Sequence, residues 1–246
     1  MIRWLWTDNE TAPILAAEFV ACHVRAHPRT VLGLPTGRSA VPMYAHLARL
    51  CAAEVVSFRH VTTFNLDEYV GLPTSDAGSY RAYMERHFIE QVDVRTERVH
   101  VPRSSHGDPE VECRAYEDAI RRAGGWALAV LGLGRNGHIA FNEPGTAPDA
   151  RTHVATLTAS TRAANRADFA GRRVTPERAM TVGLGTILQA RSIVLLATGE
   201  GKAGALARLA SQAVDTSVPV TLLNGHRDVV VVADRALRAD DGQTPA

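Results

Sequence analysis

Short apolar runs alternate with stretches of helical periodicity along nearly the whole chain. The runs Thr30–Leu34, Val61–Asn65, Arg98–Val101, Trp126–Leu133, Val154–Leu157, Ile193–Thr198 and Val229–Val232 have the length and content of strands. Between them, apolar side chains recur three or four residues apart. Ala40, Met43, Tyr44, Leu47 and Leu50 form one such series, Tyr80, Tyr83, Met84 and Phe88 a second, and Leu206, Leu209, Ala210 and Ala213 a third. That spacing predicts amphipathic helices. A first helix is expected over roughly Pro13–Ala26, with Thr11 as N-cap and Pro13 just inside it. Strands alternating with helices imply a mostly parallel sheet covered on both faces. No repeat, low-complexity tract or linker divides the 246 residues. The expectation is one doubly wound α/β domain (residues 1–246), a Rossmann-like three-layer sandwich with ligands at the carboxyl ends of its strands. The polar tail, 238–246, is expected to be loose.

Composition narrows the function classes. A hydrophobic content of 46% supports a packed core, and a net charge of +1 gives no overall field for nucleic acid or an anionic membrane. Cys22, Cys51 and Cys113 are odd in number and far apart, so neither a disulfide framework nor a metal pair is expected. A reducing cytoplasm suits them. The N-terminal segment is apolar only briefly before turning acidic, unlike a signal peptide, and no run approaches the roughly 18 apolar residues of a membrane span. The expected partner is a small molecule, with self-association left open.

The chemistry concentrates in three strand-end turns. The segment from Gly132 to Pro144 follows an apolar strand and offers Asn136, Gly137, His138 and Glu143. Its glycines let the backbone turn sharply and leave room for a ligand. Asn136 and Glu143 could both reach the His138 ring and fix its tautomer, giving a group that trades protons near neutral pH. The plainer alternative is a Gly-rich turn whose histidine caps a helix. No serine or cysteine stands at a nucleophile-elbow turn, so proton transfer is expected rather than acyl transfer.

In the second turn, Thr36, Gly37 and Ser39 fall where backbone N–H groups and hydroxyls can surround an oxyanion at a helix start. Arg38 can add charge there or point to solvent. The turn matches neither the nucleotide P-loop nor the dinucleotide fingerprint, so a small phosphate monoester suits it better than ATP or NAD. A tight turn with Ser39 as N-cap is the alternative, and the segment alone leaves both open. In the third, Asp67 and Glu68 follow the Val61–Asn65 strand. A carboxyl held away from water there can act as a general base, whereas a helix cap or a solvated turn would have no such role. Two carboxylates without matching histidines do not make a metal site.

Outside these turns, residues 151–178 carry Arg151, Arg162, Arg166, Arg172, Arg173 and Arg178 against Asp168 and Glu177. A basic lid over a phosphate, about 151–180, would look like this, and so would a solvated helix face. Lys202, at a helix start, is a further phosphate candidate. His23 and His27 are expected to be surface residues.

Taken together, Gly33–Gly37, Phe64–Leu72, Ser79-Tyr80, Asn136–Pro144, Thr161-Arg162 with Asn165, and Thr181–Thr186 resemble the glucosamine-6-phosphate deaminase family. The resemblance spans nearly the whole chain, and its Asp-Glu-Tyr-Val-Gly-Leu and Gly-His-Ile-Ala-Phe-Asn-Glu-Pro runs are specific. It implies aldose–ketose isomerisation with deamination, taking glucosamine 6-phosphate to fructose 6-phosphate and ammonia without a cofactor or metal. His138 would open the sugar ring, oriented by Glu143 and Asn136. Asp67 would shuttle a proton from C2 to C1. Thr36–Ser39, Gly137, Lys202 and an arginine of the basic segment would bind the substrate and its phosphate. The chain also departs from the family pattern. Some members carry aspartate at position 136. The family's phosphate-binding arginine would fall at Ala167, and Arg166 is the nearest arginine. An activator-binding lysine of regulated members would fall at Ala155, so activation by N-acetylglucosamine 6-phosphate is not expected. The alternatives are another amino-sugar phosphate such as galactosamine 6-phosphate, 6-phosphogluconolactonase, and a sugar-phosphate-binding regulator without catalysis. Tyr69 and Asn142-Glu143-Pro144 speak against the lactonase.

Overall fold

The computed structural model describes residues 2–103, 107–169 and 175–238. Arg172, Arg173 and the tail from residue 239 lie outside them. Seven strands form the main sheet: β1 (Ile2–Thr7), β2 (Val31–Leu34), β3 (Thr62–Asn65), β5 (Val99–His100), β6 (Leu128–Gly132), β9 (Ser192–Ala197) and β10 (Val229–Asp234). Their order is β1-β10-β9-β6-β2-β3-β5, and every pair is parallel. Three further strands, β4 (Asp67–Tyr69), β7 (His153–Thr156) and β8 (Arg178–Thr181), make a separate antiparallel sheet in the order β4-β8-β7.

Strand alternation builds the two faces of the main sheet. Ala129, Leu131, Ile193, Leu195, Val229 and Val231 pack into one core with residues of α4 (Pro109–Arg122), α6 (Leu184–Ile187) and α7 (Ala203–Ala210). Leu128, Val130, Val194, Leu196, Val230 and Val232 pack into the other, under α1 (Thr11–Ala26) and α2 (Val41–Ala52). The fold is therefore the expected α/β sandwich with a mostly parallel central sheet. No described helix is long and apolar enough to cross a membrane.

Several local expectations change. Thr11 begins α1 rather than capping it. The residue before it, Glu10, makes no side-chain cap, and the Asp8 carboxylate accepts the N–H groups of Glu10 and Thr11 instead. Ser39 is not the N-cap of α2, because a 3₁₀ turn over Arg38–Ala40 precedes the helix and Ala40 takes that position. The predicted Tyr80–Phe88 helix is α3 (Tyr80–Met84) continued by a π-helical turn, Glu85–Ile89. Ala213 lies beyond α7, which ends at Ala210 before Gln212 adopts positive φ. The predicted Val154–Leu157 strand exists as β7 but belongs to the antiparallel sheet. β1 was not predicted. It is a half-exposed edge strand that gains its place by pairing in register with β10.

The small sheet is tied to its surroundings through Gly183 and Gly185, just after β8. A β-carbon on Gly183 would overlap the carbonyls of Ala150 and Arg151, and the Gly185 N–H donates to the Ala150 carbonyl at 2.9 Å. Gly183→Ala should therefore force backbone apart and destabilise the protein by about 2 kcal/mol, the scale of overpacking in a tight core. Thermal unfolding should register a fall in Tm of roughly 5 °C for a chain of this size. An unchanged Tm would mean that this contact gives way freely.

Candidate active site

The chain runs outward from β2 through β3 to β5, then returns to β6 on the other side of β2 and continues to β9 and β10. The direction of winding thus reverses between β2 and β6, where α/β sheets open a crevice at their carboxyl ends. The turns after β3, β2, β6 and β9 carry Asp67, Thr36–Ser39, Asn136–Glu143 and Lys202, respectively.

The turn after β2 is pinned from both sides. Gly37 has φ +97°, a conformation that suits glycine. The Tyr44 hydroxyl donates to the Pro35 carbonyl, and the Tyr83 hydroxyl donates to the Gly37 carbonyl at 2.9 Å. Arg38 is exposed and reaches Ala164, donating to its carbonyl at 3.1 Å. A cavity of about 160 Å³ opens beside this turn, against α3, lined by Gly37, Arg38, Gly78, Tyr80 and Tyr83.

Asp67 and Glu68 are neither a helix cap nor a solvated turn. They form β4, and the two side chains leave it on opposite faces. Glu68 is buried and accepts the N–H groups of Tyr69 (2.8 Å), Tyr80 (2.9 Å) and Arg81 (3.0 Å), locking α3 to β4. Burial outweighs those bonds and pushes Glu68 up to about 7. Asp67 pairs with Thr181 across β8, faces the Thr36 side chain, and leaves one carboxyl oxygen without a hydrogen-bond partner. Burial, helped by the charge of Glu68, pushes its pKa up to about 8. A carboxyl in that range is a stronger base than a solvated one.

The loop after β6 is shaped around His138. A β-carbon on Gly134 would overlap the imidazole ring. Gly137 turns the chain at φ +86°, and its carbonyl accepts the Val220 N–H at 2.8 Å. Glu143 is buried and held at both oxygens. Asn136 donates to one at 2.8 Å, and the Thr158 N–H and hydroxyl donate to the other at 3.2 and 3.1 Å. Burial raises the Glu143 pKa, but Thr161, Asn136, His138 and Thr158 outweigh it and hold the carboxyl below its usual range. The Glu143 carboxylate stands 3.8 Å from Nδ1 of His138.

Asn136 does not reach the ring, contrary to expectation. Its side-chain oxygen accepts the backbone N–H of His138 at 3.2 Å, because the turn brings that N–H closer than the imidazole. Nδ1 of His138 is buried and without a hydrogen-bond partner. Burial and the charge of Lys202 lower the imidazole pKa more than Glu143 raises it, which favours the neutral ring.

Lys202 takes the N-cap position of α7 without a side-chain cap, and its ammonium is pushed down to about 8 by burial and by the positive fields of Arg135 and Arg38. These links join the turns. Thr36 faces Asp67, the field of Arg38 reaches Lys202, and that of Lys202 reaches His138. Thr181, opposite Asp67, accepts the N–H of Phe141 at 3.1 Å. Phe141 in turn packs on Tyr69 and Tyr80. Arg166 is exposed, in a 3₁₀ turn next to Asn165, whose amide donates to the Tyr69 hydroxyl at 3.0 Å. His23 is half-buried with Nε2 2.8 Å from the Thr30 hydroxyl, and His27 is exposed. No group of three or more His, Cys, Asp or Glu side chains able to hold a metal ion occurs among the described residues.

Sequence reasoning gave no role to Thr158, Thr161, Thr181 or Arg135, although Thr161 and Thr181 stand in the runs that carry the family resemblance. The threonines act through contacts 15 or more residues distant, which no local pattern displays. Arg135 lies inside the His138 motif but carried no signal of its own.

Known proteins similar to this chain identify its family. Residues 8–232 match the family of glucosamine-6-phosphate isomerases and 6-phosphogluconolactonases. A glucosamine-6-phosphate deaminase of Oceanobacillus iheyensis is 42% identical over 240 residues, 97% of this chain and 96% of that protein. One from Thermoanaerobacter sp. is 43% identical over 220 residues, 89% of this chain and 87% of the relative. A solved structure of a monomeric glucosamine-6-phosphate deaminase superposes with a TM-score of 0.92 at 39% identity, covering 96% of this chain and 98% of its own. The chain therefore belongs to the glucosamine-6-phosphate isomerase/6-phosphogluconolactonase family.

Proposed function

We propose that this protein is a glucosamine-6-phosphate deaminase that converts glucosamine 6-phosphate and water to fructose 6-phosphate and ammonia. The observation that carries the reading is the buried Asp67 carboxyl, with one unpartnered oxygen, between the Thr36–Ser39 turn and the loop of His138. His138, neutral in this setting, takes the proton of the C1 hydroxyl and returns it to the ring oxygen, opening the sugar. Glu143 stabilises the imidazolium that forms in between, and Asn136 and Thr158 hold Glu143 in place. Asp67 removes the C2 proton of the open aldehyde and delivers it to C1, while one amine proton passes to O1, leaving a C1 hydroxyl and an imine at C2. Water adds to C2, ammonia leaves, and the ketose phosphate remains. Thr36, Gly37, Arg38, Ser39, Gly137 and Lys202 bind the substrate, with the phosphate at the Lys202 ammonium. The substrate is a free cytoplasmic sugar phosphate, and no step requires a second subunit.

Offering glucosamine 6-phosphate, galactosamine 6-phosphate and 6-phosphogluconolactone separately tests the reading. Ammonia and ketose phosphate should appear with the first. Acid release from the lactone without ammonia from either amino sugar would overturn it.

Asp67→Asn should lower kcat by about a thousandfold or more, while KM stays within a few-fold, because it removes the base and keeps the shape. Its Tm at neutral and alkaline pH should hold or rise. The folded-state pKa of Asp67 lies above its unfolded value, so the native carboxyl weakens the fold as pH climbs through that interval, and an amide does not. Near-normal turnover would exclude Asp67 as the base.

The pH dependence of kcat/KM should be bell-shaped with its maximum near pH 8. Activity rises as Asp67, at about 8, loses its proton, and falls as Lys202, at about 8, loses its own. Lys202→Arg should extend the alkaline limb to higher pH, because a guanidinium keeps its charge there. An alkaline limb that does not move in this variant would remove Lys202 from the binding step.

A further inference from the structure

Several arginines elsewhere in the molecule have carboxylate partners. Arg3 meets Asp228, Arg81 meets Glu85, and Arg208 meets Asp215. The cations around the active-site crevice are arranged differently. Lys202 is half-buried, and the charges that reach it are those of Arg135 and Arg38, both positive. Neither arginine forms an ion pair among the described residues. Arg38 spends one N–H on the Ala164 carbonyl, and Arg135 makes no hydrogen bond there. Three like charges that share one field without a counter-charge repel one another. They are tolerable in an open crevice if a multiply charged anion regularly occupies the space between them.

The backbone dictates that Arg135 joins this group. The Gly134 N–H donates to the His138 carbonyl at 2.9 Å, closing residues 134–138 into a tight turn with Arg135 near its tip. The Arg135 side chain lies across Gly201, at the start of the Lys202 turn. A β-carbon on Gly201 would stand 3.2 Å from its Nε, 3.3 Å from Cδ and 3.4 Å from Cγ. Gly201 also has φ +83°, so both the conformation and the seat of the arginine suit glycine. The guanidinium is thereby placed over the segment whose next residue, Lys202, takes the N-cap position of α7. That helix directs the N–H groups of its first turn to the same end.

Resting on the reading above, we propose that Arg135 binds the substrate phosphate together with Lys202 and Arg38, and that this residue rather than Arg166 supplies the fixed guanidinium of the phosphate site. A guanidinium meets two phosphate oxygens at once, which a second ammonium cannot do. Arg166 is exposed, as Arg135 is, but its charge is not among those that act on Lys202. The placement also couples binding to chemistry. Arg135 precedes Asn136, which accepts the His138 N–H and donates to Glu143, so a phosphate held by Arg135 steadies the loop that presents the imidazole.

Calorimetric titration of the intact protein with inorganic phosphate tests this without requiring turnover. Arg135→Ala should weaken phosphate binding about tenfold, as expected for loss of a charge-assisted bidentate contact. Arg135→Lys should recover part of the loss, and Arg166→Ala should bind phosphate as the unaltered protein does. Arg135 is exposed, so each variant should keep its Tm. Wild-type affinity in Arg135→Ala, an equal loss in Arg166→Ala, or no phosphate uptake by the unaltered protein would overturn the assignment. The KM for glucosamine 6-phosphate separates the two readings. Turnover with an unchanged KM in Arg135→Ala would refute the role of Arg135 and leave the deaminase reading intact. Phosphate binding that depends on Arg135 in a protein that deaminates nothing would do the reverse.

Discussion

The burial of the Asp67 carboxyl is the constraint around which the crevice is built. An acid removed from water resists ionisation, and this one also faces the charge of its neighbour Glu68. Such a group destabilises the fold at neutral pH, so the surroundings must hold it there. The holding is done by backbone. β4 pairs with β8, which sets Asp67 against Thr181, and Glu68 is fastened by the N–H groups at the start of α3. The adjacent carboxylates thus have different tasks. One anchors a helix, and the other keeps one buried oxygen without a hydrogen-bond partner.

The histidine loop follows a related logic. Its hydrogen bonds are spent on Glu143 and on the backbone of His138, and the ring itself is left unbonded at Nδ1. Burial and the nearby ammonium keep the imidazole neutral, while Glu143 remains ionised, 3.8 Å away, to meet the positive charge when it forms. A neutral ring beside a fixed carboxylate can accept a proton and release it again. An imidazolium already formed could only donate. The positively charged turn at Lys202 therefore serves two purposes, attracting an anion and holding down the histidine pKa.

The alternation of apolar runs and helical stretches determined the sandwich, because strands buried on both faces and amphipathic helices have few other ways to hide their apolar surfaces. It also located the strand-end turns that carry Thr36–Ser39, Asp67, His138–Glu143 and Lys202, since punctuation by glycine and the change of period are local signals. The separate sheet of β4, β7 and β8 was not legible. β4 and β8 are three and four residues long and gain their identity from pairing across more than a hundred residues. Likewise, no local pattern could assign the anchoring of α3 to Glu68 and an unpartnered buried oxygen to Asp67, or direct Asn136 to a backbone N–H rather than to the ring.

By itself, then, the sequence determined which residue types stand at which strand ends and, through its motifs, which family they resemble. Protonation, contact and partnership were decided only in three dimensions. The pKa of Asp67 depends on how much water and how much of Glu68 it sees. Arg135 joined Lys202 because two glycine turns from different strands bring a side chain of one across the backbone of the other. Electrostatic fields act through space over a few ångströms, and residues 67 apart in the chain meet at that range only once the sheet has aligned β6 beside β9.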